Sequence, residues 1–104
     1  MARFDVYANP MRSERRHTPY FLDVQNNYID HVATRVVIPL RKESLFGPRA
    51  KHIHPLVQVG ELSCVLDTST LGAVPLAELS APVAHLGHER DAIQAALDTL
   101  FGAY

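Results

Sequence analysis

Leu56-Val57-Gln58-Val59-Gly60-Glu61-Leu62-Ser63-Cys64-Val65-Leu66 is the stretch that decides the fold class. Two runs rich in β-formers flank the dipeptide Gly60-Glu61. A two-residue loop containing glycine suits a tight hairpin, because glycine takes the positive φ that such turns demand. Upstream, Phe4-Asp5-Val6-Tyr7 alternates until Asn9-Pro10 breaks it, and Tyr20 to Val24 is aromatic and β-branched with Asp23 as its polar member. Gln25-Asn26-Asn27 marks a turn before Tyr28-Ile29-Asp30. Arg35-Val36-Val37-Ile38-Pro39-Leu40 is a dense strand signal. Its Pro39 cannot donate to a ladder, which predicts that the strand ends there or lies at an edge. Residues 41–52, charged and carrying Gly47-Pro48, predict a long exposed loop. Ala73-Val74-Pro75-Leu76 follows the small polar stretch Asp67-Thr68-Ser69-Thr70. Short strands with frequent turns indicate a small barrel or sandwich.

The last twenty residues change period. Ala92, Ile93, Ala96, Leu97, Leu100 and Phe101 form one apolar stripe on an α-helix over about residues 88–101. Glu89 and Asp91 suit its first turn and Gly102 its C-terminal stop. Phe101, Ala103 and Tyr104 gather where little chain remains to cover them, a pattern that can mark a protein-binding surface.

A chain of 104 residues has room for a single domain, 1–104, with strands over about 4–76 and one helix. Hydrophobic residues at 47% and charged residues at 20% suit an ordered globular protein. No apolar run is long enough to cross a bilayer, and the N-terminus lacks an apolar signal core. Cys64 is the single cysteine, so neither an internal disulfide nor a cysteine-based zinc site is available. The expected location is the reducing cytoplasm. The net charge of −1 conceals a polarity, since residues 1–52 carry +4 and residues 53–104 carry −5. The basic charges sit in two runs, Arg12 to Arg16 and Arg41 to Lys51, which lack aromatics for base stacking and read as solvated loops.

The search for chemistry leaves little. His52 with His54 could share a strand face and His85 with His88 a helical face, but no local carboxylate or thiolate completes a metal shell. Cys64, inside an alternating strand, reads as a small apolar residue. His17, Arg35, Asp67 and Arg90 supply the residue types of a metal-free ribonuclease, and spacing alone does not bring them together. No nucleophile elbow, phosphate-binding glycine loop or zinc-protease motif occurs.

Several segments, in one order, resemble the CcdB toxins of CcdA/CcdB toxin–antitoxin modules. They are Tyr20-Phe21-Leu22-Asp23-Val24-Gln25, Arg35 to Leu40, His54 to Gly60, Val74-Pro75-Leu76, and the tail from Leu86-Gly87-His88-Glu89-Arg90 to Leu100-Phe101. The resemblance runs from Phe4 to Tyr104 and implies an SH3-like antiparallel β-barrel with a C-terminal helix, forming a homodimer. It implies a plasmid-maintenance toxin without catalytic residues, metal or cofactor, which binds the A subunit of DNA gyrase and traps the cleaved gyrase–DNA complex. A disordered segment of a CcdA-like antitoxin would neutralise it. The pair would repress its own operon, with operator DNA contacted only through the antitoxin complex and no membrane involved. By resemblance the gyrase contacts are Phe101, Gly102, Ala103 and Tyr104, where the family normally carries Phe and then Trp-Gly-Ile. The antitoxin contacts are Phe4, Tyr7, Asn26, Tyr28, Ile29, Asp98 and Phe101. Two other readings accompany this one. The barrel is similar to that of MazF/Kid endoribonuclease toxins, and the altered tail suits a homologue that binds antitoxin but no longer poisons gyrase.

Overall fold

The computed structural model describes residues 2–29 and 31–102. Its strands are β1 (Asp5–Ala8), β2 (Tyr20–Asp23), β3 (Thr34–Lys42), β4 (Leu56–Val59), β5 (Leu62–Leu66), β6 (Gly72–Pro75) and β7 (Ala84–His85). A single-turn helix α1 (Glu43–Phe46) follows β3, and α2 (Arg90–Phe101) closes the described chain. The strands form one antiparallel sheet in the order β4-β5-β3-β2-β1-β7, with β6 also paired to β3. The sheet curls into a nearly closed barrel against which α2 packs, the architecture the strand pattern and the resemblance imply.

Register explains the core. Val6 lies opposite Leu22, Leu22 opposite Ile38, and Leu40 opposite Leu66. Alternation therefore puts these side chains on one face, where all are fully buried. Ile93, Ala96 and Leu97 of α2 complete that core. The predicted stripe is wider than the buried one, because Ala92 and Phe101 face out. Gly102 ends α2 in the left-handed region at φ 75°, its N–H donating to the Asp98 and Thr99 carbonyls, as the sequence predicts.

The hairpin forms as read. Val59 pairs with Leu62 around Gly60-Glu61, and Gly60 takes φ 59°. Pro39 behaves differently from its prediction, for β3 runs through it to Lys42. Residues 34–37 pair with β6 and residues 40–42 with β5, so Pro39 sits where β3 changes partner. Its carbonyl accepts from Asp67 N–H at 3.1 Å, and its missing donor faces the same junction, where no ladder bond is lost. The expected loop 41–52 begins later than predicted, since it contains the end of β3 and all of α1. Asn27–Ile29 is a 3-10 turn, and Asp30 lies outside the described residues. Strand β7 has no alternation to reveal it and exists through its pairing with β1.

Candidate functional site

Arg3 lies between several of the residues that the resemblance singles out, in contact with Phe4 and bonded to neighbours of the others. Its Nε donates to the Val24 carbonyl at 3.2 Å, and its Nη2 to Gln94 Oε1 at 2.8 Å. Its backbone N–H donates to Asn27 Oδ1 at 2.8 Å, and its guanidinium lies 4.7 Å from the centroid of the Phe4 ring. Arg3 thereby ties the N-terminal segment, the 24–27 turn and α2 into one ridge.

A depression lies on each side of that ridge. The first, about 280 Å³, is lined by Val24, Val36, Leu71, Gln94, Leu97, Asp98 and Phe101. Gln94, Asp98 and Phe101 recur at helical spacing along the flank of α2, and Gln94 Nε2 donates to Asp98 Oδ1 at 2.9 Å. Phe101 is 70% exposed at its rim. The second, about 440 Å³, is lined by Ala2, Arg3, Phe4, Asn26, Asn27, Tyr28, His85 and Arg90. Tyr28 is 93% exposed, held by an Asx turn in which its N–H donates to Asn26 Oδ1, and Ile29 beside it is 43% exposed. Phe4 itself is buried and has φ 74°, a left-handed conformation that costs about 1–3 kcal/mol in a residue other than glycine. Two hydrogen bonds hold it there, from Phe4 N–H to the Asp23 carbonyl at 2.7 Å and from Leu86 N–H to the Phe4 carbonyl at 2.8 Å.

The turn carrying Asn26, Tyr28 and Ile29 rests on a buried ion pair. Arg35 reaches both Asp23 oxygens, at 2.7 and 2.9 Å, and both side chains are essentially inaccessible. Gln25 extends the network: its N–H donates to Asp23 Oδ1, its Oε1 accepts from Val36 N–H, and its Nε2 donates to the Ile29 carbonyl at 2.7 Å. Thus two buried charges on β2 and β3 fix the turn that presents the exposed aromatic.

Tyr7 is the exception among the expected contacts, since it is fully buried and offers a partner no surface. Its hydroxyl has no hydrogen-bond partner among the described residues. Burial, then the charges of Asp5 and Asp23, push its pKa up to about 12. Ala103 and Tyr104 lie outside the described residues.

The other candidates scatter. His85 belongs to β7, where its Nδ1 meets Asp5 Oδ1 at 2.9 Å, so it shares no helical face with His88. His52 and His54 lie in the turn before β4 rather than on a strand. His54 accepts from Ala50 N–H at Nδ1 and approaches Asp67 Oδ1 with Nε2 at 3.4 Å. Burial pushes the Cys64 thiol up to about 11, in keeping with an unreactive packing residue. Of the four ribonuclease candidates, His17 and Asp67 are linked only through Thr18 and Arg41. Arg35 is committed to Asp23, and Arg90 lines the depression beside Phe4. Hydrogen bonds and ion pairs among the described residues do not join these four directly.

A family model described as "CcdB protein" matches residues 3–102. The chain belongs to the CcdB family. Membership supports a role as the toxin of a toxin–antitoxin module, and the CcdB match spans every element of the barrel and α2. No helix among the described residues is long and apolar enough to cross a membrane. The structure brings six of the seven residues expected as antitoxin contacts to the Arg3 ridge or its turn. The CcdB motifs gave no sign of Arg3 or Gln94, because one N-terminal arginine and one helical glutamine carry no pattern of their own.

Asp67 gives the fold a predictable acid limb. Burial alone would raise its pKa, but hydrogen bonds from Arg41 and Thr70, with the charges of Arg41 and His54, together hold it below the ordinary carboxylate value. A depressed folded-state pKa contributes stability above about pH 4 that is lost as pH falls through the folded value. Denaturant titrations at pH 7 and pH 3 should show Asp67→Asn less stable than the parent at pH 7, with the gap closing at pH 3. An equal gap at both would contradict this role.

Proposed function

We propose that this protein is a toxin that binds the A subunit of DNA gyrase, lodges in the opened enzyme and traps the cleaved gyrase–DNA complex. The observation that carries the reading is Phe101, a large aromatic left 70% exposed at the tip of α2 beside an apolar depression. Burying such a ring contributes heavily to an interface, because area, rigidity and low side-chain entropy combine. Gly102, Ala103 and Tyr104 extend this contact. The protein acts in the cytoplasm as a homodimer, so that two helix tips meet a two-fold symmetric target, and it performs no catalysis of its own. Tighter binding to the open gate than to the closed one shifts gyrase towards the trapped state.

A CcdA-like antitoxin neutralises it along the Arg3 ridge, through Phe4, Asn26, Tyr28, Ile29, Asp98 and Phe101. The same complex represses its operon, with the antitoxin supplying sequence-specific DNA recognition.

Purified protein added to gyrase and supercoiled plasmid should accumulate linear DNA after detergent and protease treatment. Single-stranded RNA incubated with it in EDTA should stay intact. Turnover of the RNA, or gyrase activity unchanged at micromolar protein, would defeat the proposal.

A further inference from the structure

The two basic runs are far apart in sequence and adjacent in the fold. Lys42 N–H donates to the His17 carbonyl at 2.9 Å, and Arg41 Nη1 donates to Thr18 Oγ1 at 2.6 Å. From there Arg41 Nε reaches Asp67 at 2.7 Å, Asp67 faces His54, and Arg49 Nη1 donates to the His54 carbonyl at 2.8 Å. These bonds join residues 12–17 to residues 41–54 as one surface.

With Asp67 included, that surface holds seven Lys/Arg against three acids, while the rest of the chain holds three Lys/Arg against eight Asp/Glu. A chain of net charge −1 therefore concentrates its positive charge on one face. Among the described residues, Arg41 alone of the seven has a carboxylate within ion-pair distance. Arg12, Arg15, Arg16 and Lys51 are exposed. Like charges gathered without counter-charges repel, and a polyanion laid across them relieves that repulsion while releasing its own condensed counterions.

We propose that this face binds the phosphate backbone of duplex DNA directly, without reading its sequence. Duplex is favoured over single-stranded nucleic acid because the two runs carry no exposed Phe, Tyr or Trp to stack on bases. Phe46 is half-buried and packs edge-on to His54 with ring centroids 5.0 Å apart. Duplex is favoured over an acidic protein because the large exposed apolar side chains within or bordering the runs are Met11, Leu45 and, barely, Leu56, too few for the apolar centre of a protein interface. This contact stands independently of gyrase binding and adds to the antitoxin's DNA recognition.

The test is anisotropy of a labelled duplex of about 30 base pairs titrated with the full-length protein. With roughly four phosphate contacts, affinity should fall about 100-fold between 50 and 200 mM salt. Combined Arg12→Gln, Arg16→Gln and Lys51→Gln should weaken binding at least about tenfold and flatten the salt slope by nearly one per contact removed. Phe101→Ala should leave binding unchanged. Circular dichroism melts confirm that the variants fold, and a charge-reversing Arg16→Glu single variant provides a second route to the same result. The proposal is overturned by absence of saturable binding at 50 mM salt, or by affinity indifferent to salt or to these substitutions. Tighter binding to single-stranded RNA of equal length, or competition by polyglutamate as effective as DNA at equal charge, would overturn it too.

Discussion

Arg35→Ala should lower unfolding free energy by about 3–5 kcal/mol, because it strands the Asp23 carboxylate in a site with no access to water. A domain of this size is stable by only about 5–15 kcal/mol, so the variant should populate unfolded chain at moderate temperature. The effect does not stop at stability. Gln25 bonds to Asp23, to Val36 and to Ile29, so loss of the pair also loosens the turn bearing Tyr28. Urea denaturation followed by tyrosine fluorescence and far-ultraviolet circular dichroism measures the first consequence. Proteolytic nicking between Gln25 and Ala33 measures the second. Replacing both partners with apolar residues of similar volume should recover much of the loss, since the penalty lies in the uncompensated charge rather than in the pair. A loss below about 1 kcal/mol for Arg35→Ala would mean that water reaches Asp23.

Removal of the last three residues should abolish growth inhibition while leaving the barrel folded and the antitoxin bound. Phe101→Ala should act on both partners. Because the ring is 70% exposed, its truncation should cost the fold only about 0.5 kcal/mol or less. At an interface the same truncation should cost at least about 2 kcal/mol, roughly a 30-fold loss of affinity. The contrast between a nearly unchanged melting temperature and a large drop in toxicity is what distinguishes a contact residue from a packing residue. Loss of Gly102 removes the left-handed stop of α2, whose N–H satisfies the Asp98 and Thr99 carbonyls, and should fray only the final turn. Full toxicity after truncation would move the gyrase contact away from the tail. Expression of the deletion in a sensitive host, alongside calorimetry with the antitoxin segment, checks both outcomes.

These two experiments concern opposite ends of one device. The Asp23–Arg35 pair is hidden and holds the turn carrying Tyr28 in place. Phe101 is displayed and leaves its apolar surface unspent within the protomer. Arg3 connects the two regions through Val24 and Gln94, so a strained N-terminal backbone at Phe4 is held against both. Strain of this kind persists only where neighbouring bonds over-determine it, and here the Asp23 and Leu86 backbones do so.

Local pattern by itself determined a good deal. The Gly60-Glu61 hairpin, the apolar side of α2 and the Gly102 stop follow from residue types a few positions apart, since turn dihedrals and helical period are properties of short segments. The order of the CcdB motifs sufficed to identify the family. Tertiary structure alone decided the rest. Pro39 lies mid-strand because β3 exchanges partners there, a fact about β5 and β6 that no reading of β3 contains. Tyr7 and Tyr28 are chemically alike in the sequence, yet the packing around β1 buries one completely and a 3-10 turn leaves the other in solvent. Two basic runs, exposed as their composition implies, are brought side by side through bonds between residues 17 and 42 and between residues 18 and 41. Burial, ion pairing and the merging of distant charges depend on which segments meet across the sheet, and that is set by the packing of the whole chain.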